Sequence, residues 1–289
     1  MTTIRSVVAA TDFSPASDAA VRRAVQLAQT HGTALCLLHA FDASAEGSPK
    51  GAANAQQETA GLPRDIQMQQ RLAEFATSLA AQTGIEVTVH FAPGPPARVI
   101  KAYVGSHDGG LVVIGSRAEP TQSGLGSTAL TVVRRPACPT LIVRVAKDKP
   151  YATVLSAVDL REGSARAASL AVALFPAARH HLLYALDEDS DSDSWSELEA
   201  EQSPASMYSQ AEHELQQMAQ RLSAAARHKV VAVVADDVPA RAILVGAANL
   251  GADCVVVGHH GLGTATDSYL GSMAQHVIYA ALSDVLVVP

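Results

Sequence analysis

Short apolar runs rich in β-branched residues alternate along the chain with longer segments whose apolar positions recur every three to four residues. The first pattern predicts buried strands and the second amphipathic helices. Residues 4–10 make a first strand. Ser14 and Pro15 then open a helix, with a hydroxyl at the cap and a proline where a missing amide does no harm. Ala20, Val21, Ala24, Val25 and Ala28 line its apolar face. Further strands fall at 33–40, 85–91, 111–114 and 140–145, and further helices at 64–83, 95–106 and 128–135. The polar stretch 42–61, rich in Ala, Gly, Ser and Gln, predicts a loop. The order is β-α-β-α-β-α-β-α-β.

After a charged, proline-ended linker at 147–150 the same order returns. Strands are expected at 151–158, 181–186, 230–235, 254–257 and 285–288, and helices at 164–174, 205–227, 239–250 and 273–282. An acidic, serine-rich insertion at 187–203 takes the position of the first half's loop. The halves also share residues: Pro96-Ala97-Arg98 and Pro239-Ala240-Arg241, Asp12 and Asp159, Gly115 and Gly258, Gly126-Ser127 and Gly271-Ser272. Such a repeat predicts a duplicated domain, residues 1–146 and 151–289. Strands alternating with helices give an α/β fold with parallel, doubly wound sheets.

Composition narrows the function. The chain has 289 residues and a net charge of -7, which argues against nucleic-acid or anionic-membrane partners, because those select a basic face. Aromatics are only 4%, so the core must be aliphatic. No apolar run is long enough to span a bilayer, and the first residues lack signal-peptide character. Cys36, Cys138 and Cys254 each lie in or beside an apolar strand, which reads as buried thiols in a reducing cytoplasm.

The candidate chemistry lies after the run 254–257. Gly258, Gly261, Gly271 and Ser272 form a G-x2-G-x9-G-S loop between a strand and a helix start. Free amides and the positive end of the helix dipole converge at such a place, which suits a phosphate. A plain loop with Ser272 as helix cap is the alternative. The spacing resembles the nucleotide-binding signature of the universal stress protein family, and the likeness covers both halves. It implies two tandem five-stranded sheets of the adenine nucleotide α-hydrolase-like type, strand order 3-2-1-4-5, with the ligand where strands 1 and 4 part.

The resemblance also implies residue roles. Asp159 would face the adenine and ribose of ATP, and Ala185 would offer main-chain groups to the adenine. Gly258, His260 and Gly261 would line the ribose and phosphates. Gly271, Ser272 and the Met273 backbone would hold the phosphates, with Mg²⁺ or Mn²⁺ as the accompanying cation. Taken alone, Asp159 reads equally well as a cap for the next helix. In the first half Ala118 stands where the second glycine belongs, the spacing to Gly126 is two residues shorter, and Pro120 stiffens it. A residue needing φ > 0 there would be strained, so the first site reads as degenerate. Asp12, Ala40, Arg117 and Ser127 remain.

Other clusters carry less. His180-His181 and His259-His260 lack metal partners at ligand spacing. The alternating aspartates 187–193 lack the glycine and terminal glutamate of a calcium loop. Asp236-Asp237 reads as a turn, with Asp237 within reach of a phosphate-side metal. There is no Walker lysine and no base placed to activate water, so at most slow turnover is expected, and the resemblance implies a regulatory ATP-binding protein of the cytoplasmic stress response. A scaffold or small-molecule carrier with vestigial nucleotide binding is the alternative. The family also implies pairing through fifth strands, here 140–143 with 285–288, making an intramolecular pseudo-dimer, with a homodimer as a further level of assembly.

Overall fold

The computed structural model describes residues 4–41, 63–107, 110–116, 125–144, 148–186, 204–259 and 270–289. Within these the apolar runs are strands and the periodic segments helices, in the expected order. The first half contains β1 (Ser6–Ala10), α1 (Pro15–His31), β2 (Ala34–Phe41), α2 (Arg64–Thr83), β3 (Val87–Pro93), α3 (Pro96–Ser106), β4 (Gly110–Gly115), α4 (Ser127–Val133) and β5 (Thr140–Val143). The second contains β6 (Thr153–Ala157), α5 (Glu162–Leu174), β7 (Arg179–Leu186), α6 (Pro204–Ser223), β8 (Val231–Asp236), α7 (Pro239–Leu250), β9 (Cys254–Gly258), α8 (Ser272–Ala280) and β10 (Asp284–Val288).

Local chemistry sets several boundaries. Ser14 caps α1 by accepting the Ser17 amide at 3.3 Å, and Gly32 ends the helix in the left-handed region at φ 59°. Helix α6 stops four residues short of the expected end. The Ser223 hydroxyl donates back to Ala219 O at 2.7 Å and accepts the Val230 amide at 2.9 Å, which turns the chain out of the helix. Ala20, Ala24 and Ala28 of α1 are fully buried, and Val21, Val25 and Leu27 flank them in the apolar layer against the sheet. No described helix is long and apolar enough to cross a membrane.

Each half has the order 3-2-1-4-5, and the two sheets join into one of ten strands, β3-β2-β1-β4-β5-β10-β9-β6-β7-β8. Every pairing within a half is parallel, whereas β5 and β10 run antiparallel, with Ile142 opposite Val285 and Leu141 opposite Leu286. Helices α1 and α5 share one apolar layer, and α3, α4, α7 and α8 share the other. Antiparallel junction strands with equivalent helices on the same face mean that a twofold along the sheet normal relates the halves.

The junction is dry and specific. Leu141, Ile142, Val285, Leu286 and Val287 are fully buried. Asp284 opens β10 and is also buried. Its Oδ1 accepts the Arg144 amide at 2.7 Å and its Oδ2 accepts the Tyr151 hydroxyl. Burial, with the Cys254 and Asp284 groups nearby, pushes the Tyr151 phenol well above its ordinary range, so it remains a donor near neutral pH. The Arg23 guanidinium lies 4.0 Å over the Tyr151 ring and donates to Lys149 O at 2.9 Å. A buried carboxylate is tolerated because these donors replace water. Tyr151→Phe keeps the ring and removes one charge-assisted donor; urea unfolding should show a loss of about 1.5–3 kcal/mol.

Candidate functional site

In each half the helix after strand 1 and the helix after strand 4 leave on opposite faces of the sheet, which opens a crevice between the strand ends. In the second half β6 pairs with both β7 and β9, so the chain ends at Asp159, Ala185 and Gly258 lie side by side. The Val158 amide bonds to Leu183 O at 2.9 Å and carries the ladder up to Asp159.

Asp159 shapes the turn into α5. Its Oδ1 accepts the Arg161 amide at 3.1 Å and lies 2.6 Å from Ser164 Oγ, and its own amide donates to Ser164 Oγ at 3.1 Å. The cap position of α5 belongs to Arg161, so Asp159 is not the cap. Among the described residues its hydrogen bonds fall on Oδ1, leaving Oδ2 for a ligand. Leu160 is held at φ 61°, in the left-handed region that a leucine adopts only when its surroundings impose it.

The first half repeats this turn. Asp12 Oδ1 accepts the Ser14 amide at 3.0 Å and the Ser14 hydroxyl at 2.5 Å, and Phe13 has φ 59°. Burial would raise the Asp12 carboxyl, but the hydrogen bonds from Ser14 and Ser17 outweigh it and hold it below its ordinary value. Neither strained residue nor either serine stands out in the sequence taken singly. The spacing Asp-x4-Ser in both halves, Asp12 with Ser17 and Asp159 with Ser164, is the signal that finds them.

The other wall is main chain. The His259 amide donates to Val288 O at 2.7 Å, and the Gly271 amide to His259 O at 3.1 Å. These bonds hold Gly258 beside the start of α8. Gly271, not Ser272, is the cap of α8, and it makes no side-chain cap bond; Ser272 is the first helical residue. Among the described residues the leading amides of α8, including those of Ser272 and Met273, have no acceptor. His260 and Gly261 lie outside the described residues, as do Arg117, Ala118, Pro120 and the aspartates 187–193. Asp237 is taken up by Arg241 in an exposed i,i+4 ion pair at 2.5 Å.

The first half has the same staple, Ser116 N to Val143 O at 2.9 Å and Gly126 N to Ser116 O at 2.6 Å. Its crevice is an open cavity of about 320 Å³, with Asp12, Ala40, Gly115, Gly126 and Ser127 in its walls. Gly115 serves packing here: a Cβ on it would sit 2.6 Å from the Ala16 carbonyl oxygen at the start of α1.

The sequence profile of the universal stress protein family matches residues 3–144 and again 150–289. Universal stress protein Rv2005c of Mycobacterium tuberculosis H37Rv is 32% identical over 194 residues, 63% of this chain and 62% of its own length. Universal stress protein Mb2028c of Mycobacterium bovis matches to the same extent. The matched region thus spans less than two thirds of these curated relatives. Among solved structures, a universal stress protein from Archaeoglobus fulgidus superposes with TM-score 0.69 at 20% identity, covering 98% of this chain and 97% of that one. Protein PA1789 of Pseudomonas aeruginosa, described as functionally unknown, does so with TM-score 0.67 at 17% identity, covering 99% and 93%. These two likenesses speak for the fold.

Two outcomes follow from the site geometry. Gly115→Ala drives a methyl into backbone that cannot swing aside, and should cost about 1–3 kcal/mol in thermal or urea unfolding. Asp12→Asn isolates the charge. A folded pKa below the unfolded one means that the charge stabilises above the unfolded value and that the benefit fades as pH falls through the folded value. The stability gap between wild type and Asp12→Asn should stay below about 1 kcal/mol at pH 7, because Asp12 is exposed, and should close as pH falls from the ordinary carboxyl value of 3.8 through the lower folded one.

Proposed function

The chain belongs to the universal stress protein family, and from that premise we propose that it is an ATP-binding regulatory module of the cytoplasmic stress response, with its main site in the second half. The observation that carries this reading is the staple between His259 and Gly271, which brings Gly258 to a helix start without a side-chain cap beside Asp159, in the half whose glycine pattern is complete. A triphosphate supplies the acceptor that the α8 amides need, and the helix dipole favours its charge. In this reading Gly271, Ser272 and Met273 hold phosphates, and His260 and Gly261 complete that wall with Gly258. Asp159 Oδ2 meets the ribose or adenine, and Ala185 contributes only main chain. Mg²⁺ or Mn²⁺ accompanies the phosphates.

The proposed role is binding, not turnover. The described residues around the crevice include no base aimed at an attacking water, and the carboxylate at hand is already committed to its own turn through Oδ1. Nucleotide state would then act on assembly or partner contacts. The joined ten-stranded sheet supports an intramolecular pseudo-dimer as the acting unit. The open crevice of the first half favours a second reading, a small-molecule carrier in which the nucleotide site is vestigial. Protein purified without added nucleotide separates the two, since only the first reading predicts adenine nucleotide in the supernatant after acid denaturation.

Calorimetric titration with ATP tests the main reading. Gly271→Val should weaken binding at least tenfold, about 1.4 kcal/mol, by keeping the phosphates off the α8 amides. Gly126→Val should leave the main binding event intact. Equal loss in both variants would mean that the first half binds as strongly as the second.

A further inference from the structure

The two crevices are connected by a side chain that the nucleotide signature does not explain. His259 follows Gly258 directly, and only 3% of its surface is exposed. Its main chain forms the staple of the second crevice. Its ring leaves that crevice and crosses the junction, where Nε2 lies 2.9 Å from the carbonyl oxygen of Arg134 in the other half. A carbonyl can only accept, so this nitrogen carries the proton. Arg134 is the C-terminal cap of α4. The opposite end of α4, Ser127 to Ala129, lies in the wall of the first-half cavity. A helix of seven residues is about 10 Å long, so one short rigid element separates the histidine from the first crevice.

The link is one-sided in chemistry. The residue equivalent to His259 in the first half is Ser116, which makes the same main-chain staple but is too short to cross the junction. The reverse contact comes from another position. The Arg144 guanidinium, just past β5, donates to the Ile278 carbonyl near the C-terminus of α8. Helices α4 and α8 are therefore each held at the far end by a donor from the other half, where the helix dipole favours one. Only the His259 clasp is continuous with a motif residue.

We propose that His259 is a positioning residue that transmits occupancy of the second crevice to α4, and thereby to the crevice of the first half. This rests on the nucleotide reading of the second crevice given above. A ligand that fixes Gly258 and the start of α8 also fixes the His259 main chain, which is bonded to both sides. The ring then holds the end of α4 more firmly, and the first crevice is ordered at its Ser127 wall. Coupling of this kind is reciprocal, so a ligand in the first crevice raises affinity in the second.

Hydrogen exchange of peptides covering 127–134, with and without saturating ATP, tests this on the full chain, with calorimetry run on the same samples. Wild type should show exchange in α4 slowed by at least about fivefold on adding ATP. His259→Phe, which fills the space without a donor and is held at an ATP concentration that saturates it by its own calorimetric titration, should lose the slowing. His259→Gln, whose amide nitrogen can reach the place of Nε2, should restore it. If the phenylalanine variant does not fold, His259→Asn serves instead, because its amide stops short of Arg134. No ATP heat in wild type would overturn the nucleotide reading and the coupling with it. ATP heat with unchanged α4 exchange, or equal slowing in wild type and the donor-free variant, would overturn the coupling alone.

Discussion

The antiparallel meeting of β5 and β10 is the constraint on which the rest of the molecule depends. Each half taken alone would end its sheet at a mostly apolar strand with an open ladder, an edge that invites aggregation. Joining the two edges buries Leu141, Ile142, Val285, Leu286 and Val287 completely. It also brings the Arg144 amide of the first half onto a buried carboxylate, Asp284, which the Tyr151 hydroxyl of the second half bonds as well. Apolar surface supplies the drive, and the carboxylate helps to fix the register: a slip of one residue would take the Arg144 amide away from a buried charge.

The crevices follow from that arrangement and from the handedness of the crossovers. The sheet turns its strand-1 and strand-4 helices to opposite faces, so a gap opens at each switch point whether or not a ligand uses it. What differs between the halves is the lining. In both, an aspartate with a left-handed neighbour forms one wall and a main-chain staple forms the other. Both crevices face a helix whose glycine cap makes no side-chain cap bond; that helix has nine residues in the second half and seven in the first, where the glycine pattern is altered. Duplication supplied two crevices of one design, and sequence divergence left the complete glycine pattern in one.

Most of the architecture was legible in the sequence because it is written locally. Runs such as Cys254-Val255-Val256-Val257 are buried on both faces and read as strands without knowledge of partners. The repeats of Asp, Pro-Ala-Arg and Gly-Ser reported the duplication, whereas the strand order came through the family resemblance. The fifth-strand pairing was legible only through family resemblance, since nothing in 140–143 names 285–288 as its partner. Asp284, Tyr151 and Arg144 were not legible, because their partners lie more than a hundred residues away. His259 looked like half of a histidine pair, and its reach to Arg134 spans 125 residues. The strain at Phe13 and Leu160 was hidden because leucine and phenylalanine carry no signal for the left-handed region; only their place after a repeated aspartate hints at it. Ser272 looked like a cap because serine is a good one, yet the bond from Gly271 to His259 fixes the cap one residue earlier.

The most direct measurement is the number of ATP molecules held per chain, read by native mass spectrometry across a range of ATP concentrations in the presence of Mg²⁺. One tightly held nucleotide per chain, lost first from protein altered at Gly271, is the predicted result. A chain that takes up two equivalent nucleotides, or none at any concentration, would contradict a phosphate pocket built by the second half alone.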